Sequence, residues 1–456
     1  MNNQRAVIIG AVAAGGSAAF KIKRINPEME VKVFEADQFF SYAACGLPYY
    51  ISDVIKDYSS MIMRTEKDFH AGAGAELYPR HRVNELDLDR REILVESLAE
   101  NKQKKYPFDQ LLLATGASPI MPRFEGMELE GVFALRTLKQ GLSLKDFARK
   151  KDVRKIVIVG GSYLGLELAE SFRALGKDVR LLEKMPQVMG SLDPDMAGLL
   201  EDELQHKGVV LHKNEALLGF EGDAKGKLRK AVSTRSSYEA DLAVVALGVK
   251  PNSELAQNAG IKLGAGGAIS IDRRLQTSAP GVYSAGDCAE AYHLILKQNV
   301  YLPLGTTANK QGRIAGENMC GGNAVFPGTL GSAVVKVFDL LAARTGLSEK
   351  EARANTIPFD SVTIKSLDHA AYYPGSRPLH VKLIFNPADG RLLGGQLVGS
   401  EKGVKRADII ATAISAGLTA GDLGEVDMAY APPYSRVWDP LTVAANAAIS
   451  KIRTAY

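Results

Sequence analysis

Val7-Ile-Ile-Gly10-Ala-Val-Ala-Ala-Gly15 decides the fold of this chain, because it is an apolar run that ends in a glycine-rich turn. Such a run predicts a buried strand, and a helix is predicted to follow from Gly16 to Arg24. The N-terminus of a helix at such a turn offers free N–H groups and the positive end of its dipole to a pyrophosphate. Glu35 ends the next strand, which is typical of a dinucleotide-binding unit.

The same order of parts occurs a second time. Val157-Ile-Val-Gly160 opens the second copy, and a helix is predicted from Leu164 to Leu175. Each turn departs from the G-x-G-x-x-G pattern at its middle glycine, where Val12 and Ser162 stand. Either turn alone is weak evidence. Two turns, each followed by an acidic strand end 23 to 25 residues later, predict two doubly wound units.

The rest of the chain predicts a return to the first unit and then a third domain. A strand that ends at Asp287, and a helix opened by Pro303 to Arg313, are predicted to complete the first unit. From about Phe326 the texture changes to short strands, which predicts an α+β domain. Its predicted elements are strands at Val334 to Phe338, Leu379 to Phe385 and Leu392 to Val398, and a helix at Arg406 to Ala416.

Composition argues against several classes of partner. The chain has 456 residues, of which 46% are hydrophobic and 24% charged, as is ordinary for a globular protein. A net charge of +4, without a block of like charges, argues against binding to nucleic acid or to a membrane surface. Three scattered cysteines are too few for a secreted disulfide framework. A cytoplasmic protein with small-molecule partners and no metal site is therefore predicted.

Cys45 lies alone in Ser41-Tyr-Ala-Ala-Cys45-Gly-Leu-Pro48-Tyr, just beyond the first turn. In isolation, a cysteine is more often an inert buried thiol than a reactive one. Pro48 suits the first turn of a helix, so Cys45 is predicted at a helix N-terminus, where the dipole favours the thiolate. Because Phe40 and Tyr50 stand where a second cysteine would lie, the other half of any disulfide must come from outside the chain.

These motifs resemble the FAD framework of the flavoprotein disulfide reductases with two dinucleotide-binding domains, over nearly the whole chain. The resemblance implies an α/β fold with two Rossmann-like dinucleotide-binding domains plus a C-terminal α+β dimerisation domain, in a homodimer. Residues 1–118 and 249–325 would bind FAD, residues 119–248 NAD(P)H, and residues 326–456 would form the dimer. Glu35 would hold the adenosine ribose and Asp287 the flavin ribityl chain, although Asp287 is also explained as a turn cap. The implied dinucleotide ligands are Gly10, Val12, Ala13, Ala14, Gly15, Glu35, Thr115, Gly116, Asp287 and Ala308 for FAD, and Gly160, Ser162, Tyr163, Leu164, Gly165, Glu183 and Gly248 for NAD(P)H.

The resemblance also implies roles in the NAD(P)H half of the site. Tyr163 matches the family's gating tyrosine over the flavin, and Glu167 its glutamate near the nicotinamide; otherwise Glu167 is a solvated helix residue. Glu183 predicts a preference for NADH, because a carboxylate that binds the ribose hydroxyls would repel the 2′-phosphate of NADPH. The adjacent Lys184 keeps NADPH as an alternative.

Three further motifs resemble the coenzyme A disulfide reductase branch, which includes persulfide and polysulfide reductases: Cys45-Gly-Leu-Pro-Tyr, His369-Ala-Ala-Tyr372-Tyr-Pro-Gly375 and Ala429-Tyr430-Ala-Pro-Pro-Tyr434-Ser. In that branch the cysteine attacks a sulfur of the substrate or holds a mixed disulfide with coenzyme A, so coenzyme A is either a substrate or a bound group. Tyrosines matching Tyr372 and Tyr430 reach this site from the partner subunit. A phenol donor in place of a histidine is chemically reasonable for a thiolate leaving group. Both tyrosines are also explained as packing aromatics.

Coenzyme A would be held by residues matching Ser17, Lys21, Arg24, Ser41 and Asn309. The basic end of the first helix is equally explained by the helix dipole alone. Relatives often place a lysine near the position of Trp438, and this chain has none in Arg436-Val-Trp438-Asp-Pro440. Either a contact to a phosphate of coenzyme A is lost, or the indole stacks on the adenine or lines the site instead.

The sequence therefore predicts an FAD-dependent NAD(P)H oxidoreductase that reduces coenzyme A disulfide, coenzyme A persulfide or polysulfide through Cys45. One alternative is an NADH oxidase or peroxidase that cycles through a cysteine sulfenic acid. Those enzymes carry a histidine acid in the first turn, where this chain has Ala13. A second alternative is a non-catalytic flavoprotein that serves as a redox sensor.

Overall fold

The computed structural model describes residues 4–72 and 74–454. Its first unit is built on a parallel sheet of five strands, in the order β18-β7-β1-β2-β3. The buried residues Val7, Ile8 and Leu112 lie in this sheet and form part of its core. The strands are β1 (Arg5–Ile9), β2 (Glu30–Glu35), β3 (Glu76–Pro79), β7 (Gln110–Leu113) and β18 (Val282–Ser284).

Two helices of the first unit, α1 (Ala13–Ile25) and α7 (Gly305–Met319), pack closely against each other. A Cβ added at Gly312 would lie 2.2 Å from the Ala14 carbonyl oxygen, so only glycine permits this approach. Helix α1 begins at Ala13, three residues earlier than predicted. Gly15 therefore lies inside its first turn, where a Cβ would come within 1.8 Å of the Gly10 carbonyl oxygen.

The second unit repeats this plan on a parallel sheet in the order β12-β11-β10-β16-β9. Its strands are β9 (Val132–Phe133), β10 (Lys155–Val159), β11 (Asp178–Glu183), β12 (Val210–Lys213) and β16 (Leu242–Val245). Its helices are α3 (Leu138–Ala148), α4 (Tyr163–Ala174) and α5 (Pro194–His206).

The repetition extends to single hydrogen bonds. The Gly10 N–H donates to Phe34 O and the Gly160 N–H to Leu182 O, both at 2.8 Å. Gly165 copies Gly15, since a Cβ there would lie 1.9 Å from the Gly160 carbonyl oxygen. The predicted internal repeat is thus present in the backbone geometry as well as in the sequence.

The C-terminal region is an antiparallel sheet in the order β21-β22-β25-β24-β23, with helices packed on it. Together with the two parallel sheets it confirms the predicted fold class. The strands are β21 (Ala333–Val337), β22 (Leu340–Gly346), β23 (Asp360–Leu367), β24 (Pro378–Phe385) and β25 (Leu392–Gly399). The helices are α8 (Glu349–Ala354), α9 (Glu401–Val404), α10 (Ala407–Ser415), α11 (Ala420–Gly424) and α12 (Pro440–Thr454).

Smaller elements connect these sheets. Antiparallel sheets are formed by β4 (His81–Asp87), β5 (Glu92–Ser97) and β6 (Lys102–Pro107), and by β13 (Leu217–Gly222), β14 (Leu228–Ser233) and β15 (Ser237–Glu239). Two-stranded pairs are β8 (Ala117–Pro119) with β17 (Val249–Pro251), and β19 (Ala291–His293) with β20 (Gln298–Val300). The short helices are α2 (Leu47–Ile51) and α6 (Glu254–Asn258). Within the described ranges, no helix combines the length and apolar character needed to cross a bilayer.

A buried lysine joins the second unit to the C-terminal sheet. The Lys382 ammonium on β24 lies 2.9 Å from Asp195 and 3.4 Å from Asp193 of the second unit, and 2.7 Å from Glu349. Gln396 adds a hydrogen bond of 2.7 Å to Asp193. Because the charges of Lys382 and Asp193 are both buried, removal of either one would leave the other poorly compensated.

Candidate active site

Both glycine-rich turns present an open helix N-terminus. Among the described residues, no side chain caps α1 at Val12 or α4 at Ser162. By contrast, Thr137 and Ser348 cap α3 and α8 with complete capping boxes. The first N–H groups of α1 and α4 are therefore available to an anion, as a pyrophosphate requires.

An acidic side chain closes each turn in the same way. Glu35 accepts hydrogen bonds from the N–H groups of Ala11 at 2.9 Å and Asp37 at 3.0 Å. Glu183 accepts from Gly161 and Met185, both at 2.7 Å. Burial raises the pKa of Glu35, although its backbone hydrogen bonds oppose the shift. Both carboxylates are thus fixed beside their turns, in the position predicted for ribose binding.

The other residues predicted for the first dinucleotide gather around α1. Val12, Ala13 and Ala14 lie at its start, and a Cβ added at Gly286 would lie 3.0 Å from the Ala14 Cβ and 3.5 Å from the Ala308 Cβ. Thr115 and Gly116 follow β7 and bind Asn252, with the Thr115 hydroxyl donating to Asn252 O at 2.6 Å. In the second unit, Leu164 lies at the start of α4 and Gly248 directly precedes β17.

Asp287 pairs with a residue that the sequence did not point to. Its carboxylate forms an ion pair with the Arg136 guanidinium, and the Tyr301 hydroxyl donates to its carbonyl oxygen at 3.0 Å. Arg136 precedes α3 and belongs to no motif, so only the fold reveals this contact. The side chain of Asp287 is thus engaged across two units and is not explained by a turn cap alone.

Cys45 lies in a 3₁₀ turn, Ala44–Gly46, that leads directly into α2. Its position before a helix is as predicted, and the residue is exposed rather than buried. The surroundings of the sulfur oppose the expected effect of the helix on the thiol, however. Partial burial of the sulfur, together with the nearby Glu167 carboxylate, raises the pKa of the Cys45 thiol, and Arg136 opposes this shift only in part.

Helices α2 and α4 are joined directly beside Cys45. The Ser171 hydroxyl on α4 donates to Pro48 O at 2.8 Å, and the Tyr49 hydroxyl on α2 donates to Glu167 Oε1 at 3.4 Å. Glu167 is half-buried rather than fully solvated, and burial raises its pKa to about 7. Burial and Glu167 raise the pKa of Tyr49 to about 12. Tyr49 was overlooked as a site residue although it stands inside the cysteine motif.

A cavity of about 460 Å³ lies between α1, α7 and the segment that precedes Cys45. Five predicted substrate residues line it: Ser17, Lys21, Arg24, Ser41 and Asn309. Ser17 donates to Asn309 at 2.7 Å, and Lys21 forms an ion pair with Glu317 at 2.9 Å. Arg64 and Arg313 also line the cavity, which makes it strongly cationic. Their positions in the sequence gave no signal, because they come from different parts of the chain.

The alternative explanation of the basic helix end holds for a different lysine. Lys23 does not line the cavity; it donates to the carbonyl oxygens of Pro27 and Met29, just beyond the end of α1. Lys21 and Arg24 instead face the cavity. Arg24 also lies in the last turn of α1, so both explanations apply to it.

The predicted C-terminal residues lie together on an exposed surface. Tyr372 and Tyr430 share a hydrogen bond of 3.2 Å between their hydroxyls and are 75% and 45% exposed. Trp438 does not line the cavity within this chain and is 63% exposed. Such exposure of large aromatic side chains is typical of a surface that is covered in an oligomer.

Both the sequence and the structure of this chain are similar to those of known proteins. The sequence profile of the pyridine nucleotide-disulphide oxidoreductases matches residues 4–312, and that of their dimerisation domain matches residues 332–441. The NAD(P)H coenzyme A polysulfide/persulfide reductase of Pyrococcus horikoshii is 39% identical, over 97% of this chain and 98% of the relative. An NADH oxidase of Methanocaldococcus jannaschii is 35% identical, over 98% and 99%. The structure of reduced CoADR-RHD from Bacillus anthracis superposes with a TM-score of 0.96 at 32% identity, over 100% of this chain and 81% of that chain.

Proposed function

Because the chain belongs to the pyridine nucleotide-disulphide oxidoreductases, we propose that it is an FAD-dependent NAD(P)H reductase of coenzyme A disulfide, coenzyme A persulfide or polysulfide. The observation that carries the proposal is the cationic cavity, whose lining approaches Cys45 along the chain. Ser41, Tyr42 and Ala43 line the cavity, so its wall ends two residues before the thiol. A phosphate-rich carrier can therefore bind in the cavity and present its sulfur to Cys45.

The two dinucleotide sites fit the cofactors. We assign FAD to the first turn with Glu35, Asp287 and Ala308, and NAD(P)H to the second turn with Glu183. The domain limits predicted above are retained: residues 1–118 with 249–325, 119–248, and 326–456. Bound FAD would supply two-electron transfer between the nicotinamide and the sulfur.

The side chains of this chain divide the sulfur chemistry between two subunits. The Cys45 thiolate attacks one sulfur of the substrate, which breaks the sulfur–sulfur bond and expels a thiolate. The partner subunit's Tyr430, hydrogen-bonded to the partner subunit's Tyr372, donates a proton to that thiolate. Two electrons from NAD(P)H then break the sulfur–sulfur bond between Cys45 and the retained part of the substrate, which restores the Cys45 thiolate and releases the second thiolate, and that thiolate takes a proton from solvent. The dimerisation domain and the exposed tyrosines support this arrangement.

An oxidase is the rival function, since an NADH oxidase is among the similar proteins. Ala13 argues against it, because alanine cannot supply the acid that the sulfenate cycle is expected to use in the first turn. A redox sensor without turnover would not explain the cationic cavity, which suits a phosphate-rich ligand. The free state of Cys45, Cys288 and Cys320 favours a cytoplasmic location, where thiols stay reduced.

One steady-state comparison tests the proposal. NADH oxidation is followed with coenzyme A disulfide, coenzyme A persulfide, polysulfide, hydrogen peroxide and oxygen, each as the sole acceptor. We expect a sulfur acceptor to give the highest kcat/KM, and Cys45→Ser to abolish that activity. Faster turnover with oxygen or peroxide would refute the reductase, and no turnover with any acceptor would favour the sensor.

A further inference from the structure

The loop after β11 contacts Tyr163, the predicted gating tyrosine. Tyr163 is half-buried at the start of α4, and its hydroxyl lies 3.3 Å from the Ser191 Oγ. Among the described residues, the Ser191 hydroxyl forms no other hydrogen bond. We name residues 187–193 the strap. They run from the glycine-rich turn of the second unit to the C-terminal sheet.

The strap is fixed to the second unit at its beginning. The Met189 N–H donates to Gly161 O at 2.7 Å, next to the turn that opens α4. Met189 is buried and has a positive φ of 46°, a conformation that side chains other than glycine seldom adopt. The Val188 N–H adds a bond of 3.1 Å to Glu201. The strap is therefore an ordered part of the unit.

The strap is fixed to the C-terminal sheet at its end. The Arg344 guanidinium on β22 donates to Ser191 O at 2.7 Å, and Glu351 holds the same guanidinium at 3.0 Å. Two residues later, the Asp193 N–H donates to Gln396 Oε1 at 2.9 Å. Arg344 and Gln396 are buried. Ser191 is thus held by the C-terminal domain through its backbone while its hydroxyl faces Tyr163.

We propose that Ser191 is a positioning residue for nicotinamide binding, because it fixes the Tyr163 phenol from a strap that Arg344 anchors to the dimerisation domain. The inference rests on the proposed function and on the role that the family resemblance implies for Tyr163, which is to gate the nicotinamide side of the flavin. It adds a physical link between the C-terminal domain and the reductive half of the reaction. Ser191 acts through Tyr163 and is not itself a catalytic residue.

A double-mutant cycle tests the link. Ser191→Ala, Tyr163→Phe and the double variant each remove the same hydrogen bond, so all three should change the NADH concentration for half-maximal flavin reduction by one common factor. A net hydrogen bond corresponds to a change of about 2- to 10-fold. For Ser191→Ala, the limiting rate at saturating NADH, and reoxidation by coenzyme A disulfide, should stay within about twofold of wild type. Anaerobic stopped-flow absorbance measures all three quantities.

Two controls separate positioning from general damage. Ser191→Thr keeps a hydroxyl and should restore wild-type behaviour, and Ser143→Ala removes an exposed α3 serine that bonds only locally to Lys139 O. An unchanged NADH dependence in Ser191→Ala, or a double variant whose factor is the product of the two single factors, would overturn the inference. Failure of the proposed function is distinguishable, because wild-type enzyme would then reduce no sulfur acceptor at all.

Discussion

At the scale of single residues, Cys45 is under opposing electrostatic influences. Burial and the Glu167 carboxylate raise its pKa, whereas Arg136 lowers it. The Arg136 guanidinium also forms an ion pair with Asp287, so one side chain lies in the electrostatic surroundings of both groups.

Cys45→Ser should keep bound FAD and its reduction by NADH, because both dinucleotide turns are untouched. Turnover of disulfide and persulfide should fall at least ~1000-fold, since a hydroxyl is a poor substitute for a thiolate nucleophile. Stopped-flow absorbance measures the first property and steady-state NADH oxidation the second. Turnover like that of wild type would refute the role of Cys45.

Tyr49→Phe should move the pH dependence of flavin reduction by NADH. Burial raises the pKa of Glu167 to about 7, and the hydrogen bond from Tyr49 opposes that rise. Without the phenol the pKa of Glu167 rises further, so the midpoint of its limb in the pH–rate profile should shift to higher pH. Tyr50→Phe is the matched control, because Tyr50 lies against Lys145 instead. A midpoint that stays in place, or moves to lower pH, would contradict this prediction.

Glu183→Ala should lower the ratio of kcat/KM for NADH to kcat/KM for NADPH. The carboxylate is fixed by two N–H groups at 2.7 Å, so it cannot move aside for the 2′-phosphate of NADPH. We expect kcat/KM for NADH to exceed that for NADPH by ~10-fold in the wild type, which corresponds to ~1.4 kcal/mol. Lys184→Ala serves as control, since Lys184 is exposed beside it. Equal use of both cofactors by the wild type would show that another residue decides.

At the scale of elements, the short helix α2 depends on its neighbours. Five residues do not form a stable helix alone. Lys145 on α3 supplies one support: its ammonium lies 3.5 Å from the Tyr50 ring centroid and 2.9 Å from Asp53. The Ser171 hydroxyl on α4 supplies another. The orientation of Cys45 is therefore set by two helices of the second unit.

Lys145→Met should lower the free energy of unfolding by ~1 to 2 kcal/mol, because a cation–π contact and the ion pair of a buried lysine with Asp53 are lost while the volume is kept. Arg149→Met is the matched control. Arg149 pairs with the same Asp53, but its side chain is 51% exposed against 4% for Lys145. Its loss should cost under ~0.5 kcal/mol. Urea unfolding measures both, and equal losses would contradict the assignment.

Elements were more predictable from the sequence than the groups that surround the site. Apolar runs and glycine turns located α1, α4 and β24 within a few residues, since their spacing is set by local geometry. The hairpins β4 to β6 lack such a signal and were missed. Arg64 and Arg136 were missed because tertiary contacts alone bring them to the site. The influences that raise the pKa of the Cys45 thiol, burial first and the Glu167 carboxylate second, likewise arise only in the folded chain.

At the scale of the whole molecule, the active site is expected to need two subunits. Tyr372 and Tyr430 lie in the dimerisation domain and are exposed within one chain. Loss of the partner subunit's Tyr430 hydroxyl would remove the acid for the leaving thiolate. Tyr430→Phe should therefore retain the dimer and lower turnover ~10- to 1000-fold.

Mixed dimers show which subunit supplies Tyr430. A dimer of one Cys45→Ser subunit and one Tyr430→Phe subunit has one intact site if the tyrosine crosses the interface, because both defects then fall on the other site. About half of the wild-type activity should return. If both residues act within one chain, each site carries one defect and activity stays low. Dual-tag purification isolates the mixed dimer, and each parent homodimer is the control.

The strand order of the first sheet also determines when its strands can pair during synthesis. Val282 of β18 pairs with Leu111 of β7, 171 residues earlier in the chain. A ribosome that adds 5 to 20 residues per second needs ~10 to 30 s to cover that interval. Throughout it, β7 has an unpaired edge while the whole second unit emerges and folds. Asp287 and α7 emerge later still, so the FAD site that we propose would be complete only after more than two thirds of the 456 residues have been translated.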